Sequence, residues 1–509
     1  MAPLEGNLML DEALFAGMDI SKGLVMDLRR MNPWWEGKPL PVLPVTRRHL
    51  VAAIHRRLDS GLAPIVVVRG PRQVGKSTAQ MHVIADLLER GTPANRILRV
   101  QCDELREIKA LGGEPVLRLV DWYEHAILRE PINAVARAGG VVYLLLDEVQ
   151  NLRDWDVQLK FLVDHTTLKV VVTGSSALCI EQGRDSLAGR ITTIECSTLS
   201  LTEIGEFHDM GLGAPLLADN GLEPLVSKQF WSEVAAEGRA RARARDAAFA
   251  LFSERGGYPV AHRRPMAPWP QVADQLNETV VRRVIQHDLR TGERGQKRDP
   301  ALLEALFTLA CRYVGQAPDV WTLAREVQRT LAANVGPQRI LHYLWFLRDT
   351  LLLRLVVPLE IRLKRKRGFP KICLADHGLR ASWLQEVVPL DPEGLDANPH
   401  LGSLAGHIAE SVVGATLMSI HGLDVAHIAA RKDQPEIDFV ITVGTRRVPI
   451  EVKYQRRIDP MRDTEALRTF IETAVNNAPF GILITQSDGP HDLDPRVVSL
   501  PLSSLLLLR

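Results

Sequence analysis

The sequence predicts an α/β protein of several domains, led by a parallel sheet with helices on both faces. Three observations carry this expectation. The short apolar runs "PIVVVR", "RILRVQ", "VVYLLL" and "LKVVVT" alternate with helical stretches, the pattern of strands buried on both faces. The first run passes into the glycine loop "GPRQVGKST" and then into the helical "STAQMHVIADLLER". At 509 residues the chain exceeds one core, and roughly three or four domains are expected.

Composition narrows the class. Hydrophobic residues make up 46% and charged residues 24%, which is ordinary for a globular protein. No run approaches the roughly 18 to 20 apolar residues of a membrane span, so no membrane association is expected. The opening "MAPLEGNLMLDEAL" lacks the basic start and apolar core of a signal peptide. Five cysteines without CxxC spacing argue against zinc and against a disulfide framework. A cytoplasmic, reducing location follows as the simplest expectation. The net charge of +1 leaves nucleic-acid binding to local patches.

The elements follow in order. Residues 1–45 read as an N-terminal arm, because "MNPWWEGKPLPVLP" is too rich in proline for regular structure, with Trp34 and Trp35 as its anchors. Residues 46–210 form the alternating α/β core. Residues 211–297 read as mostly helical, a lid. Over 298–370, two helices, a third opened by Pro337 after Gly336, and a β-like tip suit a winged helix. A connection containing proline and aspartate spans 371–400. The last domain, 401–509, reads helix, strand, strand, strand, helix, strand, and "LPLSSLLLLR" closes it as a packed helix or strand.

The glycine loop has the P-loop pattern in its strand–loop–helix setting. Gly70 and Gly75 let backbone N–H groups wrap phosphates, and the helix N-terminus adds a favourable field. Lys76 reaches the β- and γ-phosphates of ATP, Ser77 holds Mg²⁺, and Thr78 completes the motif. "VVYLLLDEVQ" ends an apolar strand in two acids: Asp147 to hold Mg²⁺ through water, Glu148 to polarise the attacking water. The strand "RILRVQ", between these motifs in sequence, points to the additional-strand class of P-loop ATPases. "KVVVTGSSA" ends in Thr173, Ser175 and Ser176, where Ser175 suits a sensor of the γ-phosphate and turn chemistry is the alternative. Arg190, in "DSLAGRITTIE", is a candidate arginine finger offered to a neighbouring subunit, which would make hydrolysis depend on a homo-oligomer.

The run "GPRQVGKST…LLLDEVQNLRDWDVQLK…VVTGSSA…LAGR" resembles an archaeal and bacterial family of AAA-type P-loop ATPases. Its members carry a winged helix and a C-terminal restriction-endonuclease-like domain. The resemblance continues through "NPWWEGK", "SERGGYPVA", "PKICLADHGLR" and "GHIAESVV", and "GRARARARD" looks like an insertion. It implies an AAA-type ATPase core with a helical lid, then a winged helix, then an α/β PD-(D/E)xK domain, assembled as a homo-oligomer such as a hexamer-like ring.

The C-terminal "PEIDFVITVGTRRVPIEVKY" sets Asp438, Glu451 and Lys453 among apolar strand residues. An unpaired charge there costs several kcal/mol, on the order of 2–7 for a buried polar group. Asp438 followed by Glu451-Val-Lys453 has the form of the PD-(D/E)xK core, with Glu410 on the preceding helix. Adjacent strands bring same-parity residues to one face, and two carboxylates there call for a divalent cation. Glu410, Asp438 and Glu451 are then ligands of Mg²⁺ or Mn²⁺, and Lys453 orients the activated water. Two alternatives stay open: a salt-bridged triad of Asp438, Glu451 and Lys453, or a nuclease fold that only binds DNA.

The run "RLKRKRGFPK" (Arg362, Lys364, Arg365, Lys366, Arg367, Lys371) follows the third helix, where a wing would meet phosphates with steep salt dependence. Gln338, Arg339 and His342 are candidate groove contacts. The expected function is an ATP-hydrolysing DNA-processing motor coupled to a metal-dependent nuclease. The Asp-to-ExK arrangement resembles archaeal Holliday-junction resolvases, which implies branched DNA as substrate. The alternatives are a nucleotide-dependent switch in signalling or defence whose last domain binds without cutting, and a DNA-binding regulator.

Overall fold

Strands rich in Val, Ile and Leu build the two larger of three sheets. The computed structural model describes residues 20–105, 111–174, 186–218, 221–287, 299–332, 334–361, 364–365, 368–430, 435–489 and 493–509. The chain divides into two compact units, residues 1–70 with 75–196 and residues 71–74 with 197–509.

In the first unit, α1 (Lys22–Met31) and α2 (His49–Ser60) precede β1 (Ile65–Arg69) and α3 (Lys76–Glu89). Then come β2 (Ile97–Gln101), α4 (Pro115–Tyr123), α5 (Ile132–Arg137), β3 (Tyr143–Asp147), α6 (Trp155–His165), β4 (Lys169–Gly174) and β5 (Ile191–Glu195). The strands run parallel in the order β2-β3-β4-β1-β5. An additional strand does separate β1 from β3, but it is the later β4 and not "RILRVQ", which lies at the edge as β2. Edge strands present unpaired backbone groups, and the N-terminal arm covers this one. The buried Asn32 amide donates to Arg99 O (2.8 Å) and accepts from Arg99 N (2.7 Å). Both Trp34 and Trp35 indoles donate to Ile97 O (3.1 and 2.9 Å). Regular structure begins earlier than the prolines implied. α1 is capped by Ser21, and residues 33–36 form a 3₁₀ turn.

The second unit begins with α7 (Leu201–Phe207), started by a reciprocal capping box between Ser200 and Glu203. Helices α8 (Lys228–Ala240), α9 (Ala242–Arg255), α10 (Pro259–Arg263), α11 (Trp269–Leu276) and α12 (Arg282–His287) follow. The arginine-rich stretch does not form a uniform charged face. Arg245 is 2% exposed and bonds Asp488 (2.9 Å), Asp246 (2.8 Å) and Ser504 (2.9 Å). Arg241 donates to Leu212 O at 2.6 Å.

Three mutually packed helices come next: α13 (Pro300–Arg312), α14 (Val320–Leu331) and α15 (Pro337–Asp349). Asp299 and Asp319 cap the first two, and Pro337 opens the third after Gly336. The strands β6 (Leu353–Pro358), β7 (Glu360–Ile361), β8 (Lys364–Arg365) and β9 (Lys371–Leu374) form two antiparallel pairs, β6 with β9 and β7 with β8.

The remaining elements are α16 (His377–Leu384), α17 (Pro392–Ala397), α18 (Gly402–Met418), β10 (Asp424–Ile428), β11 (Ile437–Val443), β12 (Arg446–Lys453), α19 (Glu465–Glu472), β13 (Gly481–Thr485), β14 (Val497–Pro501) and α20 (Leu502–Leu505). A seven-stranded mixed sheet runs β14-β13-β12-β11-β10-β6-β9. It therefore reaches back beyond residue 401 to include β6 and β9. The connection expected over 371–400 opens with a strand whose four residues are all buried. No helix among the described residues is long and apolar enough to cross a membrane.

Candidate nucleotide site and C-terminal carboxylate cluster

The P-loop turns out of β1 and into α3 at Gly75, whose φ of 94° lies in the left-handed region open to glycine. Lys76 is the first residue of α3 and is 5% exposed. Its Nζ donates to Gly70 O at 2.9 Å, so the ammonium sits within the loop. Ser77 is exposed on the first helical turn and Thr78 is half-buried.

Asp147 ends β3 fully buried, and the two neighbouring strands tie it in place. From β2, Arg99 Nη2 lies 3.1 Å from Asp147 Oδ2. From β4, the Thr173 hydroxyl donates to Asp147 Oδ1. Gln80 of α3 donates to Leu146 O at 3.1 Å, which pins the phosphate-side helix to the same strand. At Glu148 the chain leaves the strand with φ 51° and ψ 47°. That conformation is uncommon for a residue with a side chain and costs on the order of 1–3 kcal/mol. The Gln150 amide donates to the Glu148 carboxylate. Glycine cradle, helix start, buried lysine and buried acid beside a hydroxyl form a donor set that suits a nucleotide with Mg²⁺.

Ser175, expected as the sensor, lies outside the described residues, as does Ser176. Arg190 precedes β5 and forms a two-point pair with Asp164 of α6 (Nε–Oδ1 2.6 Å, Nη2–Oδ2 2.9 Å). A role across a subunit boundary would require that pair to open.

The C-terminal acids do come together, around a cation the sequence reading had placed elsewhere. β11 and β12 run antiparallel with Phe439 opposite Ile450. The same register carried one residue further sets Asp438 opposite Glu451. On α18, Gly414 allows close approach to the sheet: a Cβ there would lie 2.5 Å from Cys373 Sγ and 2.9 Å from the Phe439 ring. Glu410, one turn earlier, is thereby brought over the strands. Between them lies Lys371, the first residue of β9, whose Nζ is 2.7 Å from Asp438 Oδ1 and 3.0 Å from Glu410 Oε2. Asp438 Oδ2 accepts from Val452 N at 3.0 Å. Glu451 is paired with Lys453 at 2.9 Å, while its Oε1 is buried without a hydrogen-bond partner.

The electrostatics follow from burial. Desolvation pushes the Lys371 ammonium down, but Asp438 and Glu410 outweigh it and hold the group well above the ordinary lysine range. Burial raises Asp438, yet Lys371 and the Val452 N–H bring it below the usual carboxylate value. Burial, then the Asp438 charge, pushes Glu410 and Glu451 each up to about 8 against the lysines beside them. The charged form is thus favoured at Asp438, beside the Lys371 ammonium, and disfavoured by burial at Glu410.

The Lys371 ammonium stands among the acids expected to hold a metal, and no group of three or more His, Cys, Asp or Glu among the described residues is arranged to hold one. The expected ligand set Glu410, Asp438 and Glu451 is shared out between Lys371 and Lys453. Nor does Lys371 belong to a phosphate-facing wing, being only 1% exposed. Of the rest of that basic run, Arg362, Lys366 and Arg367 lie outside the described residues. Sequence reading also missed Arg99, although it signalled itself as Asp438 did, by standing charged in an apolar strand.

Residues 63–205 match the family described as an AAA domain. Over those residues the chain is similar to P-loop AAA domains. Residues 248–388 and 405–505 match two domains of unknown function, DUF8612 and DUF4143. The chain is 24% identical over 470 residues to the uncharacterized protein Rv2008c of Mycobacterium tuberculosis, covering 91% of this chain and 85% of that one. Among solved structures it is similar to the Walker-type ATPase paby2304 of Pyrococcus abyssi, with 16% identity, a TM-score of 0.37, and coverage of 68% of this chain and 99% of that one. Cdc6p from Pyrobaculum aerophilum gives 14% identity and a TM-score of 0.27, over 70% of this chain and 97% of that one.

Proposed function

We propose that this protein is an ATP-hydrolysing switch that acts on DNA as a homo-oligomer, and that its C-terminal domain binds without cutting. The observation that carries the ATPase reading is Lys76 held within the loop, with its helix pinned through Gln80 to the strand that ends in the buried Asp147. In this reading the Gly70–Gly75 backbone wraps the phosphates and Lys76 neutralises the β- and γ-phosphates, with Thr78 beside it. Ser77 and Asp147 hold Mg²⁺, which offsets phosphate charge. Glu148 polarises water, and Arg190 completes a neighbour's site once Asp164 releases it.

DNA is favoured as partner by the three-helix segment and its hairpin, which have the order of a winged helix. On α15, Gln338, Arg339 and His342 are exposed while Leu344 and Leu347 are buried. ATP turnover by purified protein, with and without duplex DNA, tests this reading. Turnover unaffected by Lys76→Ala would sink it.

The buried, unpartnered Glu451 Oε1 beside Asp438 favours a second reading, a PD-(D/E)xK nuclease acting on branched DNA. Incubating linear and four-way-junction DNA with Mg²⁺ or Mn²⁺ decides between the two. Cleavage lost in Asp438→Ala establishes the nuclease; no cleavage under any of these conditions supports the switch.

A further inference from the structure

The cluster around Lys371 has the layout of a cation site that is already filled. Three separate elements deliver its parts: β9 the lysine, α18 Glu410 and β11 Asp438. The ammonium is 2% exposed as a side chain, lies 3.8 Å from Glu436 in addition to its two closer acids, and stands 5.1 Å from the centroid of the Phe439 ring. An ammonium has three donors and no acceptor, and here two of them reach Asp438 Oδ1 and Glu410 Oε2. A divalent metal would sit roughly 2.0–2.6 Å from the same oxygens, within the volume that Nζ fills. Both Asp438 oxygens are already engaged, Oδ1 by the Lys371 ammonium and Oδ2 by Val452 N.

We propose that the Lys371 ammonium is the resident counter-ion of the C-terminal acids, in the place a metal would take, so that this domain is closed to Mg²⁺ and Mn²⁺. The inference rests on reading the domain as one that binds without cutting. It makes contact with DNA or a partner through this domain independent of divalent metal. It also makes Lys371 the residue that separates this site from a metal site: without the ammonium, Asp438 and Glu410 lose their closest cation, and Lys453 stays paired with Glu451.

Mn²⁺ titration of the nucleotide-free full chain, followed by electron paramagnetic resonance, provides the test. Wild type should bind no Mn²⁺ that Asp438→Asn removes. Lys371→Met, which keeps the chain length without the charge, should gain a site at least about tenfold tighter, a difference of roughly 1.4 kcal/mol. Lys371→Met/Asp438→Asn should lose that site again. Wild-type binding that depends on Asp438 overturns the proposal, as does a folded Lys371→Met that gains nothing. If Lys371→Met fails to fold, rescue by Mn²⁺ supports the proposal, and failure of Mn²⁺ to rescue what Asp438→Asn does rescue overturns it. DNA cleavage by wild type would sink the non-cutting reading, whereas Mn²⁺ binding without cleavage sinks only the closed site.

Discussion

The nucleotide site and the C-terminal cluster solve the same electrostatic problem in different ways. Each buries an aspartate at a strand terminus, and each gives it a cationic partner from another strand: Arg99 for Asp147, Lys371 for Asp438. At the nucleotide site the pair accounts for one carboxylate, and the acid that follows it, Glu148, leaves the strand in a left-handed conformation. In the C-terminal cluster the lysine engages two acids and Lys453 engages a third. The difference teaches that acid spacing alone does not identify a metal site. What matters is whether a protein cation already stands between the acids.

The sharpest way to break the comparison is to remove the phosphate lysine. Lys76→Ala should lower ATP turnover by about a thousandfold, and Glu148→Gln by about a hundredfold or more with nucleotide binding retained. Steady-state phosphate release and nucleotide titration check both. If Glu148→Gln turns over normally, the water-polarising role is wrong.

Next in size is the C-terminal pair. Lys371→Ala should cost about 3–5 kcal/mol in denaturant unfolding, because it strands a buried carboxylate, and adding Asp438→Asn should recover most of the loss. Equal losses in the single and double variants would mean that packing, not charge, is at stake.

A third test uses pH. Burial first, and then the Lys371 charge, depress His427 from 6.5 to about 4. The unfolded chain therefore takes up this proton at a higher pH than the folded one does. The contribution is fully present above pH 6.5 and is lost as pH falls toward 4, about 3 kcal/mol for the whole shift. Lys371→Met should shrink that acid sensitivity, measured as unfolding free energy at pH 7 and pH 5. No change would show that Lys371 does not act on His427.

The smallest effect concerns the strand that carries Arg99. Asn32→Ala removes two buried hydrogen bonds to its backbone and should cost about 2 kcal/mol. Chemical denaturation checks it, and a neutral result would mean that the tryptophans alone hold the arm.

Much of this was legible in the chain. The P-loop, the acids ending β3, the three helices opened near Asp299, Asp319 and Pro337, and the β11–β12 hairpin all depend on residues close in sequence, whose turn, cap and alternation chemistry acts locally. Even the oddness of Asp438 and Glu451 within apolar strands was visible. Domain limits were less so: β9 is only four residues long and follows a basic run, so its burial left little periodic signal.

Sequence alone determined that this protein has a P-loop motif between strand and helix, a pair of acids following an apolar strand and a group of charges set among apolar strand residues. Only the tertiary structure decided who their partners are. Arg99 lies 48 residues from Asp147, and Lys371 lies 67 residues from Asp438. The pairing of β2 with β3 brings the first two within hydrogen-bond distance and the fold of the second unit does so for the other two, and neither is written in any local pattern. A carboxylate's need for a positive charge is a property of its own burial, but whether a metal or a lysine meets that need depends on what the fold places beside it.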